Sequence, residues 1–174
     1  RAINKVMEVS NYSGLRAEQA ARRASNDRVQ LGVGIVCTTE ITGGGDEFAE
    51  CFVRADGSAD VIVGTSSHGQ GHETTFAEIV MKELGIHRDK IRILHSDTDL
   101  SPFGGGTIGS RSMIHHGSAS LLAAREVVRK GMTLASQHLE VAEADLEFTG
   151  GTYRVKGTDR SVALLDLARK HPTT

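Results

Sequence analysis

Apolar and polar positions along the chain sort into segments of two different periods. Residues 14–25 (GLRAEQAARRAS) are rich in Ala, Arg and Glu, which are good helix formers, and Ser13 stands where a start cap belongs, so one amphipathic helix is predicted there. Residues 29–40 then alternate. Val29, Leu31, Val33, Ile35 and Cys37 share one face, which predicts a half-buried strand, with Gly32 and Gly34 leaving the other face open. A turn at Gly43-Gly44-Gly45 leads to a second strand over Phe48–Arg54, and the Asp56-Gly57 pair turns the chain into a third near Asp60–Val63, completing a predicted meander.

Helical spacing takes over in residues 73–85, where Phe76, Ile79, Val80 and Leu84 fall on one face and Gly85 sits at the expected stop. Residues 90–95 alternate as a strand. From Ser96 to Ser110 the chain is rich in Asp, Ser, Pro and Gly, which excludes regular structure, and a loop of that length usually serves function. A long helix follows over about 114–141, carried by Leu121, Val128, Met132, Ala135 and Leu139, with Gly131 as its weak point. A hairpin over 146–155 around Gly150-Gly151 and a helix from a Ser161 cap through Leu164, Leu165 and Ala168 complete the chain. The sum is an α+β fold, an antiparallel strand meander packed with helices. It is expected as a single domain or fragment over 1–174, divisible into sub-lobes 1–112 and 113–174.

Composition narrows the function classes. The 174 residues suffice for a core that buries roughly two thirds of the unfolded surface. With 20 Lys and Arg against 22 Asp and Glu, the net charge of −2 gives no general pull toward nucleic acid or an anionic membrane. No apolar run approaches the roughly 20 residues of a membrane span, and the start RAINKVMEVS lacks a signal-peptide core, which points to the cytoplasm. In that compartment Cys37 and Cys51 are expected as free, buried small hydrophobes. The beginning at Arg1 and the end at HPTT suggest a fragment.

Two loops carry candidate chemistry. In His68-Gly69-Gln70-Gly71-His72, between a strand and a helix, the helix-start amides are unpaired donors, the glycines admit a ligand close to the main chain, and Gln70 can read a heterocycle edge. The segment Gly104-Gly105-Gly106-Thr107-Ile108-Gly109-Ser110-Arg111-Ser112 again runs from glycines into a helix, adding hydroxyls and the Arg111 guanidinium, expected to clamp a phosphate. Each loop alone is equally explained by a plain glycine turn with a helix cap; the two together suit a large, polar, phosphorylated ligand. A protein-bound metal is not expected. His68 and His72 are four apart, and His95, Asp97, Asp99, His115 and His116 stand nearby, but Gly-Gln-Gly between the first two favours a loop over a shared helix face, so a metal hydrolase is the weaker alternative. Asp97 and Asp99 are read as turn-formers.

At these loops the chain resembles a known family. GTSSHGQGHETTFAEIVMKELGI, then HSDTDLSPFGGGTIGSRS, then an Ala-rich helix, is similar in order and spacing to the molybdopterin-binding region of molybdenum hydroxylase large subunits, the family of xanthine dehydrogenase, aldehyde oxidase and aerobic carbon monoxide dehydrogenase, and most similar to the last branch. The resemblance covers nearly the whole chain. It implies that Gly69, Gln70 and Gly71 contact the pterin and phosphate of a molybdenum–molybdopterin cytosine dinucleotide, with His72 beside them, and that Thr107, Ser110, Arg111 and Ser112 hold the phosphates or nucleotide. It further implies partners: the rest of the large subunit, and subunits or domains carrying FAD and [2Fe-2S] clusters. The intact enzyme would oxidise a small molecule, carbon monoxide, an aldehyde or an N-heterocycle, with oxygen derived from water. The family's catalytic glutamate has no match here, so no residue is expected to be catalytic, and a scaffold that binds nothing alone is the competing reading.

Overall fold

The computed structural model describes residues 1–172. Its backbone contacts form two compact units that divide between Thr39 and Glu40, away from the 112/113 limit offered above for sub-lobes. The first unit contains α1 (Ala2–Val9) and α2 (Tyr12–Ala24). The first of these was not anticipated, although Ile3, Val6 and Met7 have helical spacing; all three are exposed. The second starts one residue before Ser13, after Asn11 in the left-handed region, and no side chain caps it. Gln19, buried in α2, donates from Nε2 to the Leu31 carbonyl (2.8 Å), and Arg22 reaches the Val29 carbonyl (3.1 Å).

The strand expected over 29–40 does not form. Alternation describes which face would be apolar, but a strand also requires a neighbour for its amides and carbonyls, and this segment pairs with none among the described residues. Val36 and Ile35 are consequently exposed, and so is Cys37, against the expectation of burial; Cys51 is half-buried, and both are free thiols.

The second unit is built on a mixed sheet of β1 (Ala49–Val53), β2 (Ala59–Val63) and β3 (Ile91–Leu94), in that spatial order. The first pair is the predicted hairpin, with Val53 opposite Ala59. The next pair is parallel, so the connection between them must cross over the sheet, and α3 (His72–Leu84) makes that crossing. Of the meander predicted over 29–63, the second and third strands are thus retained, and β3 takes the far side of β2. All five residues of β2 are buried. Asp60 is among them, and it is neutralised by its neighbours on both sides: Arg54 Nε at 2.9 Å, and Arg92, its register partner on β3, through two bonds of 2.7 and 2.9 Å.

The helix α4 (Gly117–Leu139) follows a π-helical turn over Ser112–His116, which replaces the regular start predicted near 114. Phe76, Val80 and Leu84 of α3 meet Ala124, Ala135 and Leu139 of α4 over Val61 and Val63, each large apolar side chain contributing about 1.5–3 kcal/mol by burial. Beyond α4 lies an antiparallel meander of β4 (Leu146–Thr149), β5 (Thr152–Val155) and β6 (Ser161–Ala163), and then α5 (Leu164–Lys170). Ser161, predicted as a helix cap, lies in β6 because its residues pair with β5 before the helix begins. The α+β class therefore stands, with the complete antiparallel meander in the second sheet. No helix among the described residues is long and apolar enough to cross a membrane.

Gly131 does not interrupt α4; it makes room. Tyr153, fully buried on β5, lays its ring against that turn and donates its hydroxyl to the Val128 carbonyl (3.1 Å), and a Cβ on Gly131 would overlap the hydroxyl. Gly131→Ala is expected to lower stability by about 1–3 kcal/mol despite the better helix former, because the overlap outweighs the propensity gain. Urea denaturation checks this; an unchanged or raised midpoint would refute the packing role.

Candidate functional site

The first glycine loop leaves the buried end of β2 and enters α3. Gly69 (φ 100°) and Gly71 (φ 79°) lie where side chains are strained, and the space where each Cβ would stand is open. Successive amides in such conformations form a concave donor surface. Gly71 is also the N-cap of α3 and supplies no capping side chain, so the helix-start amides have no side-chain acceptor from the cap residue. Gln70 behaves differently from its expected role. Its carbonyl oxygen accepts from the His68 amide and its Nε2 contacts the Ser66 carbonyl at 3.5 Å, so the side-chain amide braces its own loop.

The second loop is locked to the first by hydroxyls. Thr107 Oγ1 lies 2.6 Å from Thr65 Oγ1 and 2.8 Å from the Ser66 carbonyl, with Ser112 Oγ at 3.4 Å. The backbones of Gly64 and Gly104 touch so closely that a Cβ on either would overlap the other strand of chain. Between the loops lies a hollow of about 430 Å³. Gln70 and His72 line it from one side, and Thr107, Ile108, Gly109, Ser110, Ser112 and Met113 from the other. Two segments separated by β3 and the whole of α3 thus share one site. A separate cavity of about 330 Å³ between β1, α4 and α5 is lined by neither glycine loop.

His72 is part of the wall. Its imidazole is 3% exposed and stacks on Phe76 at 4.9 Å, yet neither ring nitrogen has a hydrogen-bond partner. Burial lowers its pKa below the ordinary 6.5 and favours the neutral ring. Behind the first loop runs a chain of polar contacts. Glu73 Oε1 meets His95 Nε2 (2.8 Å), His95 Nδ1 meets Ser96 Oγ (2.8 Å), and Ser96, at φ 63°, donates to Ser66 Oγ (3.1 Å) and from its amide to the Thr65 carbonyl (3.2 Å). Its own backbone amide and then His95 hold the Glu73 carboxyl below the usual range.

Arg111 does not line the hollow. Its guanidinium is turned away from the hollow and buried, with Nη1 2.6 Å from Glu47 Oε1 and Nη2 donating to the Asp46 carbonyl (3.2 Å), so it presents no clamp to a phosphate here. Glu47 was not singled out from the sequence. Its side chain is only 2% exposed and also accepts from the Gly105 amide (2.9 Å) and faces His116 Nε2 at 3.0 Å. No periodic signal separates such a glutamate from a surface one. The nearby Gly43 and Gly45 were read as a turn, but Cβ atoms there would press on the Arg111 side chain at 2.9 and 3.2 Å, so the glycine run is also a packing surface.

The remaining acids and histidines keep ordinary roles. Asp97 accepts from the Asp99 amide in a turn (2.9 Å), as expected, and His115 contacts the Gly43 carbonyl (2.8 Å). His68 lies in the exposed loop while His72 opens the helix, and no group of three potential ligands that could hold a metal occurs among the described residues.

Comparison with known proteins places these features in company. The family model described as the molybdopterin cofactor-binding domain matches residues 5–173. The carbon monoxide dehydrogenase large chain of Hydrogenophaga pseudoflava is 41% identical over 171 residues, covering 91% of this chain and 21% of that protein. The 6-hydroxypseudooxynicotine dehydrogenase complex subunit gamma of Paenarthrobacter nicotinovorans is 40% identical, covering 95% of this chain and 21% of its own length. Among solved structures, a Cu,Mo-CO dehydrogenase superposes with a TM-score of 0.72 at 39% identity, covering 97% of this chain and 23% of that one. Quinoline 2-oxidoreductase from Pseudomonas putida 86 does so at 0.67 and 27%, covering 96% and 23%. The chain therefore spans about a fifth of the length of the curated relatives it matches.

Burial also lowers the pKa of His116, fully enclosed beside Glu47, below 6.5. A histidine with a depressed folded-state pKa binds fewer protons folded than unfolded, so its contribution is present above about 6.5 and lost as the pH falls below it toward the folded value. With His72 and His116 both shifted this way, the urea midpoint is expected to fall between pH 7.5 and pH 5.5. A constant or rising midpoint over that interval would contradict the buried neutral pair.

Proposed function

We infer the function from the premise that this chain belongs to the molybdopterin cofactor-binding domain family: it forms part of the wall that grips the cofactor in a molybdenum-dependent hydroxylase or dehydrogenase large subunit. The observation that carries this reading is the meeting of both glycine loops at one hollow through Thr107.

The residues present suit such a group. Open positive-φ glycines at 69 and 71, the uncapped start of α3, and the hydroxyls of Thr107, Ser110 and Ser112 are the donors that phosphate oxygens require. His72 adds a buried imidazole to the wall, its two nitrogens enclosed. In this reading the amides of Gly69 to His72 hold phosphate and pterin oxygens, Gln70 keeps its loop rigid while lining the site, and Thr107, Ser110 and Ser112 hold the nucleotide end. Arg111 supports the second loop from behind. The cofactor supplies, when bound, the molybdenum chemistry that removes two electrons from a substrate hydroxylated with oxygen from water. The chain's own contribution is binding and orientation, and it holds no catalytic residue.

The finer features belong to the same proposal. The cofactor is the cytosine dinucleotide form, electrons leave through [2Fe-2S] and FAD on partner subunits, and the assembly works in the cytoplasm. Carbon monoxide, an aldehyde or an N-heterocycle is the substrate class. Relatives named for carbon monoxide, nicotine and xanthine support the carbon monoxide and N-heterocycle parts of that range. A second reading has its own support: the hollow is open, and a binding wall amounting to about a fifth of the relatives' length offers only some of the contacts. On that reading the isolated chain is an inert scaffold, and only the whole subunit retains the cofactor.

Acid release of pterin with fluorescence detection, together with molybdenum analysis, tests both. The full-length subunit is expected to carry cofactor, and Gly69→Val, which forces a side chain into a strained backbone, to lower its content at least tenfold with unchanged circular dichroism. Undiminished content in that variant would contradict the site.

A further inference from the structure

The second loop is organised from behind by a charge kept out of water. A carboxylate as enclosed as that of Glu47 is costly unless donors meet it; here Oε1 takes both the Gly105 amide and Arg111 Nη1, while Oε2 lies 3.0 Å from His116 Nε2 without a hydrogen bond. Glu47 precedes β1, Gly105 and Arg111 stand at the two ends of the second loop, and His116 closes the π-helical turn. One carboxylate therefore joins three stretches of chain. The guanidinium also occupies the place a Cβ on Gly105 would need, so that glycine is required by Arg111 as well as by the turn. With both ends drawn inward, Thr107, Ser110 and Ser112 between and beside them line the hollow.

We propose that Glu47 is a positioning residue for cofactor binding: by holding Arg111 and the Gly105 amide it fixes the loop 104–112, and Arg111 serves as an internal strut instead of a phosphate ligand. This rests on the reading of the hollow as the cofactor site. A strut and a ligand differ in a measurable way. A strut's loss loosens the loop even when no cofactor is present, whereas a ligand's loss lowers cofactor retention and leaves the empty loop as ordered as before.

The test uses the full-length subunit from a host that makes no molybdopterin, compared with the same protein from a host that does. Glu47→Gln keeps the shape and removes the charge. Amide hydrogen exchange over 104–112 in the cofactor-free protein is expected to accelerate at least tenfold, while exchange in β2 and the middle of α3 is unchanged, and pterin content in the second preparation is expected to fall at least tenfold. Where Glu47→Gln does not accumulate as folded protein, Glu47→Leu with Arg111→Met makes the same test, since it leaves no unpaired charge inside. Wild-type exchange over 104–112 in whichever variant folds would overturn the proposal. So would an Arg111→Met protein that loses cofactor with its empty loop undisturbed, because Arg111 would then be a direct ligand. A wild-type subunit without pterin from the competent host would instead sink the cofactor reading, with the exchange comparison still deciding whether Glu47 holds the loop.

Discussion

A carboxylate taken out of water is retained only where the surrounding chain compensates its lost hydration, and Glu47 has a backbone amide and a guanidinium on Oε1, with the imidazole of His116 3.0 Å from Oε2. Because the donors come from different stretches of sequence, meeting the demand of one side chain fixes the relative position of several. Glycines at 43, 45 and 105 follow from this, each leaving space that the Arg111 side chain uses. The hollow's lining then sets the hydroxyl residues Thr107, Ser110 and Ser112 beside the apolar Ile108 and Met113, and the strongest charges nearby are already paired with one another.

The first loop depends on a different device. A parallel pairing of β2 with β3 requires a crossover, and placing α3 in that crossover directs its uncapped N-terminus to the end of the sheet where β3 also delivers the chain toward the second loop. Asp60 belongs to this arrangement, because its pairing with Arg92 across β2 and β3 gives the parallel register a polar lock inside an otherwise apolar strand. The ladder from Glu73 through His95 and Ser96 to Ser66 then braces the loop near the point where Thr107 reaches in. Each part is local, but the site exists only where they coincide.

Much of this was legible in the sequence for physical reasons, and the failures have physical reasons too. Helix α3 and its stop at Gly85 (φ 70°) depend on spacing and a residue that tolerates left-handed backbone, both local properties. The hairpins at Asp56-Gly57 and Gly150-Gly151 are readable on the same terms. The alternation in 29–40 was misleading because pairing is a property of two segments, and a single segment cannot reveal that no neighbour among the described residues pairs with it. Ser13 and Ser161 had the chemistry of caps without the backbone position for it. The two glycine loops were visible as motifs, but the direction of Arg111 was not: a guanidinium near glycines suits a phosphate or a buried carboxylate equally well, and Glu47 lies more than sixty residues earlier. His72 similarly gave no sign that both its nitrogens would be enclosed without partners.

The most direct test of the central claim, that the two loops act as one binding surface, is a comparison of amide hydrogen exchange in the full-length wild-type subunit with and without molybdopterin cofactor. The account predicts that cofactor protects residues 69–72 and 106–112 together, leaving β5 and β6 as they were. Protection of one loop without the other, or protection confined to other parts of the chain, would contradict it.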